Sequence, residues 1–225
     1  MVENFSWVEN KKDNFREYAL GLPDTEVEEI LGSIPSGWNY PPTSHREFVE
    51  WLVKEINPQV TVELGVDYGY SAFVLAMCQD NPEYGIDCFD TSVYAGRVDE
   101  DYEFVLGIKE KLKIDNLEII KGYFDDVAKT WDKEIDLLHI DGLHDYQNCK
   151  NDCDTWVPLL KEDGVILFHD TVSNPDGVGV FFNQLEVPKV NLTNSFGLGV
   201  ASNNADLIEK IERKTSDDGE VQVVA

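Results

Sequence analysis

Four residues that follow two apolar runs have the types that move protons or hold a cation. Ile135 to Ile140 leads into Asp141-Gly142-Leu143-His144, and Val165 to Phe168 leads into His169-Asp170. Three of the four histidines in the chain, His139, His144 and His169, fall in or beside these two segments. Carboxylates mixed with imidazole form a hard oxygen and nitrogen donor set that suits a divalent cation. On this reading Asp141, His169 and Asp170 are the metal ligands, with Mg²⁺ the first expectation and Mn²⁺ admitted by the imidazole. The same residues also fit an acid–base pair with His144 as general base, or a hydrogen-bonded cap of the turn. His139 lies inside the apolar run and reads as a core histidine.

A second motif lies upstream. Thr61-Val62-Glu63-Leu64-Gly65-Val66-Asp67-Tyr68-Gly69-Tyr70-Ser71 is an apolar run, a glycine turn and the opening of a helix, as in a nucleotide-binding βαβ unit. Asp87 stands 18 positions past Gly69, at the end of the next apolar run, where a ribose hydroxyl needs an acceptor; Asp90 is its rival. In dinucleotide-binding turns a middle glycine lets a pyrophosphate approach the backbone, but here that position is Asp67. A carboxylate there repels a pyrophosphate and tolerates a cation. S-adenosylmethionine (SAM), a sulfonium with an ammonium group and no phosphate, fits better than NAD. The predicted cofactor contacts are Glu63 to the amino-acid part and the turn residues Gly65, Asp67, Tyr68, Gly69 and Ser71. Asp87 follows for the ribose, then Phe89, Gly122, Tyr123 and Phe124 around the adenine, with Asp141 beside the transferable methyl. Glu63 equally fits a cap of the turn, and the aromatics equally fit plain core.

The elements that must position these groups alternate. Strands are predicted at Val60–Leu64, Tyr84–Phe89, Leu117–Ile120, Ile135–Ile140 and Val165–Phe168. Helices are predicted at Ser71–Gln79, Asp101–Leu112, a short one near Asp125–Trp131, and Tyr146–Leu160, the last with a stripe of Tyr146, Cys149, Cys153, Val157 and Leu160. Such alternation implies an α/β fold, a doubly wound parallel sheet with right-handed crossovers. After a helix near Val178–Leu185, Val187–Thr193 and Phe196–Ser202 are separated only by Asn194-Ser195, so they must pair as an antiparallel C-terminal hairpin. Upstream, Ser44-His45-Arg46-Glu47 reads as a capping box before a helix carrying Phe48, Val49, Leu52, Val53 and Ile56, ended by Pro58. Residues 1–42 hold Phe5, Trp7, Phe15, Trp38 and Tyr40 and read as an aromatic cap or a dimer contact. Residues 43–214 form the SAM-binding domain, and residues 215–225 are expected to fray.

With 225 residues the chain suits one such domain. A net charge of −26 argues against nucleic acid or an anionic membrane as partner, since both recruit clustered Lys and Arg. No run is long enough to span a bilayer, and Met1 to Leu22 lacks the apolar core of a signal peptide. The four cysteines form no CxxC pair, and the i,i+4 pair Cys149 and Cys153 reads as apolar packing. A reducing cytoplasm is the expected compartment.

At these same residues the chain resembles the class I SAM-dependent methyltransferases of the bacterial "methyltransferase 24" type, a Rossmann-like fold. The resemblance rests on Glu63-Leu64-Gly65 with Gly69-Tyr70-Ser71, Ile86-Asp87 with Ala95-Gly96, Ile135 to Tyr146, and Trp156 to Leu160 with Gly164 to Thr171. Gly177-Val178-Gly179-Val180 and Gly197-Leu198-Gly199-Val200 extend it, so that it covers about residues 45–202. Related sugar and catechol O-methyltransferases bind a divalent metal through an Asp after the fourth strand and an acid pair, or Asp-Asn, after the fifth. Asp141 and Asp170 match that pattern. His169 in place of one acid, or Thr171 in place of the Asn, departs from it, so metal use stays open.

The reading that follows is a SAM-dependent methyltransferase acting on a small-molecule hydroxyl, on a sugar or a phenol. N-methylation, a non-catalytic nucleotide-binding protein and an NAD-linked oxidoreductase are the alternatives. Asp67 counts against NAD, and the His/Asp group counts against a pure binder.

Overall fold

The computed structural model describes residues 24–34, 45–90, 92–93 and 100–217. The aromatics Phe5, Trp7, Phe15, Trp38 and Tyr40, residue Ser44, and the Ala95-Gly96 pair lie outside the described residues.

Seven strands form one sheet in the order β3-β2-β1-β4-β5-β7-β6. They are β1 (Thr61–Leu64), β2 (Glu83–Asp87), β3 (Leu117–Lys121), β4 (Ile135–Ile140), β5 (Leu160–His169), β6 (Lys189–Leu192) and β7 (Leu198–Ser202). The first five are parallel, while β7 runs antiparallel to both β5 and β6. All four residues of the central strand β1 are buried, as a parallel strand covered on both faces requires.

Helices cover both faces. On one, α1 (Asp24–Gly32), α2 (Arg46–Ile56), α3 (Tyr70–Met77), α4 (Asp101–Lys111) and α8 (Ala205–Asp217) pack around Leu137, Val165, Leu167, Val190 and Val200. On the other, α6 (Tyr146–Trp156) and α7 (Val180–Gln184) pack on Val62, Leu64, Ile86, Leu138, Ile140, Ile166 and Phe168, with the short α5 (Phe124–Ala128) beside them. The three layers follow from the alternation of side chains along each strand.

Several expected boundaries shift for physical reasons. The sixth helix ends at Trp156, because Pro158 cannot continue the ladder; Val157–Leu159 becomes a 3₁₀ turn and Leu160 starts β5. The predicted stripe through Val157 and Leu160 therefore breaks, and Val157 is exposed. The predicted helix at Val178–Leu185 is a π turn, Pro175–Gly179, followed by α7. At α2 the N-cap is His45, which makes no side-chain cap hydrogen bond; the expected capping box rests on Ser44, outside the described residues. Of residues 215–225, expected to fray, 215–217 lie in α8, where Thr215 is buried and its hydroxyl donates to the Ile211 carbonyl at 2.8 Å, and 218–225 lie outside the described residues. Among the described residues no helix is long and apolar enough to cross a membrane.

Candidate active site

The parallel strands all end on one edge, and a cavity of about 790 Å³ opens there. That volume falls within the usual range for small-molecule sites. Its wall includes the glycine turn after β1, Asp87 and Cys88 after β2, Tyr123 and Phe124 after β3, Asp141 to His144 after β4, and His169 and Asp170 after β5.

The turn is built by backbone geometry. Gly65 has φ +95, and a Cβ there would lie 2.1 Å from the Asp141 carbonyl oxygen, so only glycine fits the gap between the ends of β1 and β4. Asp67 also sits in the left-handed region, at φ 48, as a short polar residue can. The Asp87 carboxylate holds the turn: it accepts from Val66 N–H at 3.0 Å, Asp67 N–H at 3.1 Å and Phe89 N–H at 2.9 Å. Gly69 is the N-cap of α3 and packs on Phe73 rather than on the cavity wall.

Several predicted cofactor residues lie elsewhere. Glu63 is fully buried behind the turn and does not line the cavity. Strand register explains this: Glu63 pairs with His139 across β1 and β4, so their side chains share a face. Glu63 Oε1 accepts from His139 Nδ1–H at 2.9 Å and from the Ser71 hydroxyl. Burial raises the Glu63 pKa, with His139 and Ser71 opposing. Phe89, expected over the adenine, turns into the core at φ 47 and packs on Tyr102, centroids 5.1 Å apart. Gly122 also lies off the wall, whereas Asp67, Tyr68, Ser71, Asp87, Tyr123, Phe124 and Asp141 line it. Asp90, the rival to Asp87, instead accepts the Tyr123 hydroxyl at 2.5 Å across the ends of β2 and β3.

The chemical group at β4 and β5 does converge. His144 Nε2 lies 3.3 Å from Asp141 Oδ1 and 3.0 Å from Asp170 Oδ2. Asp141, His144 and Asp170 offer ligand atoms all within 4.8 Å of one another, which fits a divalent cation of oxygen and nitrogen preference. The set expected from the sequence was Asp141, His169 and Asp170; here His144 also stands beside the two acids. His169 Nδ1 lies 3.0 Å from Asp170 Oδ2 and 3.3 Å from Asp141 Oδ1, and its ring is buried behind the two acids. Burial would lower the His169 pKa, but the charges and hydrogen bonds of Asp141 and Asp170 outweigh it and raise the pKa to about 10. The resulting imidazolium draws both acids together. Against the burial that would raise them, His169 holds Asp141 well below the usual carboxylate range and Asp170 below it as well. Against its partial burial, the His144 pKa is raised by the hydrogen bond it donates to the Asp141 carboxylate and by the charges of Asp141 and Asp170. Ser173 fixes Asp170 further by donating to Oδ1.

Sequence reasoning missed three contributors. His45, at the start of α2, is buried with its ring edge-on to His169, centroids 5.7 Å apart, and its Nε2–H donates to the Asn194 carbonyl at 3.0 Å. Asn148 and Asp152 of α6 also reach the cavity wall. The signal for Asn148 and Asp152 was the spacing of Asp145, Asn148 and Asp152, a polar stripe beside the buried Cys149, Cys153 and Trp156.

A parallel sheet with an antiparallel final hairpin and a ligand cavity at its carboxyl edge is the class I SAM-dependent methyltransferase architecture. Residues 62–171 match a family described as a methyltransferase domain, and they form a SAM-dependent methyltransferase domain. An uncharacterized protein y4gI from Sinorhizobium fredii is 30% identical over 166 residues; the match takes in 69% of this chain but only 18% of that relative. Two solved structures share the fold. The O-methyltransferase from Bacillus cereus in complex with S-adenosylhomocysteine (SAH) has a TM-score of 0.62 at 18% identity, covering 81% of this chain and 93% of that one. TomG from Streptomyces achromogenes, an O-methyltransferase of tomaymycin synthesis in complex with SAM, has 0.59 at 16%, covering 81% and 91%.

Proposed function

We propose that this chain moves the methyl group of SAM to a hydroxyl of a small molecule. One observation carries the reading: Asp141 belongs to both halves of the site. Its carbonyl packs on Gly65 of the donor turn, while its carboxylate joins His144 and Asp170. The donor's sulfonium and the groups that prepare the acceptor are thereby brought side by side.

Methyl transfer needs the acceptor oxygen in line with the sulfonium carbon and stripped of its proton. Asp141, His144 and Asp170 would hold a divalent cation, and such a cation lowers the pKa of a coordinated hydroxyl. His169 keeps the two carboxylates converged from behind, and Ser173 orients Asp170. Without a cation, His144 Nε2, within hydrogen-bond reach of both acids, is the atom that would take the acceptor's proton. The relatives titled O-methyltransferases support a hydroxyl acceptor. The wall also carries Asp67, Asp125, Asp126 and Asp152, with Lys129 paired to Asp126 at 2.7 Å, which favours neutral or cationic acceptors over phosphorylated ones.

The test is transfer of labelled methyl from SAM to a panel of sugars, phenols and amines. Label on oxygen, released with an equivalent of SAH, supports the reading; label on nitrogen alone contradicts it.

A further inference from the structure

The two loops that carry the acid cluster are tied together behind it by one short element. His144 reaches Asp141 and Asp170 from the loop between β4 and α6, which has no regular secondary structure of its own. Its backbone rests on the π turn Pro175–Gly179. The His144 carbonyl accepts from the Val178 N–H at 3.1 Å. A Cβ on Gly177 would lie 2.0 Å from that carbonyl oxygen and 3.1 Å from the Asp145 Cα, so loop and turn meet backbone to backbone and only glycine fits between them.

The same turn grips the loop after β5. Asn174 N–H donates to the Asp170 carbonyl at 3.0 Å, and the Asn174 carbonyl in turn accepts from Gly177 N–H at 3.1 Å and Gly179 N–H at 3.0 Å. A Cβ on Gly179 would lie 2.5 Å from the Thr171 carbonyl oxygen. Backbone hydrogen bonds therefore lead from Asp170 through Asn174 and the turn to His144. The turn is itself anchored, because Val178 is buried in the core that holds Cys149, Phe168 and Phe181. Such π turns are rare and recur at functional sites.

We propose that Gly177 is a positioning residue for the transfer: it lets the turn press on the His144 carbonyl and so holds the imidazole against Asp141 and Asp170. This rests on the hydroxyl-transfer reading given above. The donor turn is held separately, by Asp87 and by the contact of Gly65 with Asp141. Displacing His144 should therefore harm the acceptor's half of the site and spare the donor's.

Two variants separate positioning from plain packing. Gly177→Ala pushes on the His144 backbone, whereas Phe182→Leu removes buried volume from the neighbouring α7 and leaves the turn intact. Each is measured by urea denaturation, by calorimetric titration with SAH, and by turnover with a hydroxyl acceptor found in the labelled-methyl panel. Gly177→Ala is expected to keep SAH affinity and KM for SAM within about threefold while kcat falls roughly 10²-fold, the size of a misplacement near 1 Å. Phe182→Leu is expected to unfold at lower urea and to keep kcat within about threefold. A folded Gly177→Ala protein with wild-type kcat would overturn the proposal, and so would a Phe182→Leu protein slowed as much.

A crystal structure of Gly177→Ala decides the positioning independently of the reaction. The His144 imidazole is expected beyond hydrogen-bond reach of Asp170, and an unmoved imidazole would contradict the assignment. If Gly177→Ala does not fold, replacing the Val178 amide by an ester, which deletes the N–H donated to His144, should lower kcat in the same way; an unchanged kcat would overturn the proposal. A wild type that methylates no hydroxyl would sink the reading of the reaction, while the imidazole's place in the Gly177→Ala structure would still decide the role of the turn.

Discussion

A Cβ placed on Gly65 would lie 2.1 Å from the carbonyl oxygen of Asp141, so the donor turn and the acid cluster meet at one backbone contact. Gly65→Ala must push the two strand ends apart and also hold an L-residue at φ +95. The expected result is a loss of about 2 kcal/mol or more of stability, read by urea denaturation, together with lost SAH binding. An alanine variant that binds SAH like wild type would show that the contact is not needed.

Glu63 makes the opposite prediction. It is buried behind the turn and bonded to His139 and Ser71, so it supports the fold rather than the ligand. Glu63→Gln should cost about 1–2 kcal/mol of stability while leaving SAH affinity within a fewfold. A large loss of affinity with stability unchanged would return Glu63 to the ligand.

These two residues show what the sequence could and could not reveal. The strand–turn–helix around Gly65, the five alternations and the final hairpin were legible, because periodicity and turn chemistry are local. Asp141, His144, His169 and Asp170 were legible as a group because they follow adjacent strands. The face presented by Glu63 was not legible, since it depends on the register of β1 against β4. Phe89 escaped because a backbone turn at φ 47 redirects it into the core. The approach of His144 to both acids was not legible, since it depends on how far the loop after β4 curls past its strand. The helix α8 went unread even though Leu207, Ile208 and Ile211 form its buried face.

Metal removal separates the roles of the cluster. Treating the protein with EDTA should slow transfer to hydroxyl acceptors by roughly 10²-fold or more, with recovery on adding Mg²⁺ or Mn²⁺. Asp170→Asn should raise the cation concentration needed for recovery. Full activity in EDTA would instead leave His144 as the base, and His144→Ala should then reduce turnover by roughly 10²–10⁴-fold.

His45 predicts an acid-sensitive stability. Burial, reinforced by the nearby His169 charge, lowers its pKa from 6.5 to about 4. The unfolded chain therefore takes up the proton first. The contribution of neutral His45 is complete above pH 6.5 and is lost as pH falls toward 4, about 3 kcal/mol in all. Urea midpoints between pH 7 and 4 should fall more steeply for wild type than for His45→Gln. Parallel slopes would remove His45 as a cause.

The central claim is that donor and acid cluster share one end of the sheet, and a crystal structure with SAH bound tests it most directly. The thioether sulfur is expected beside Gly65 and Asp141, with the position of the departed methyl open to Asp141, His144 and Asp170 and no protein atom between. SAH bound elsewhere, or with its sulfur turned away from that cluster, would contradict the account.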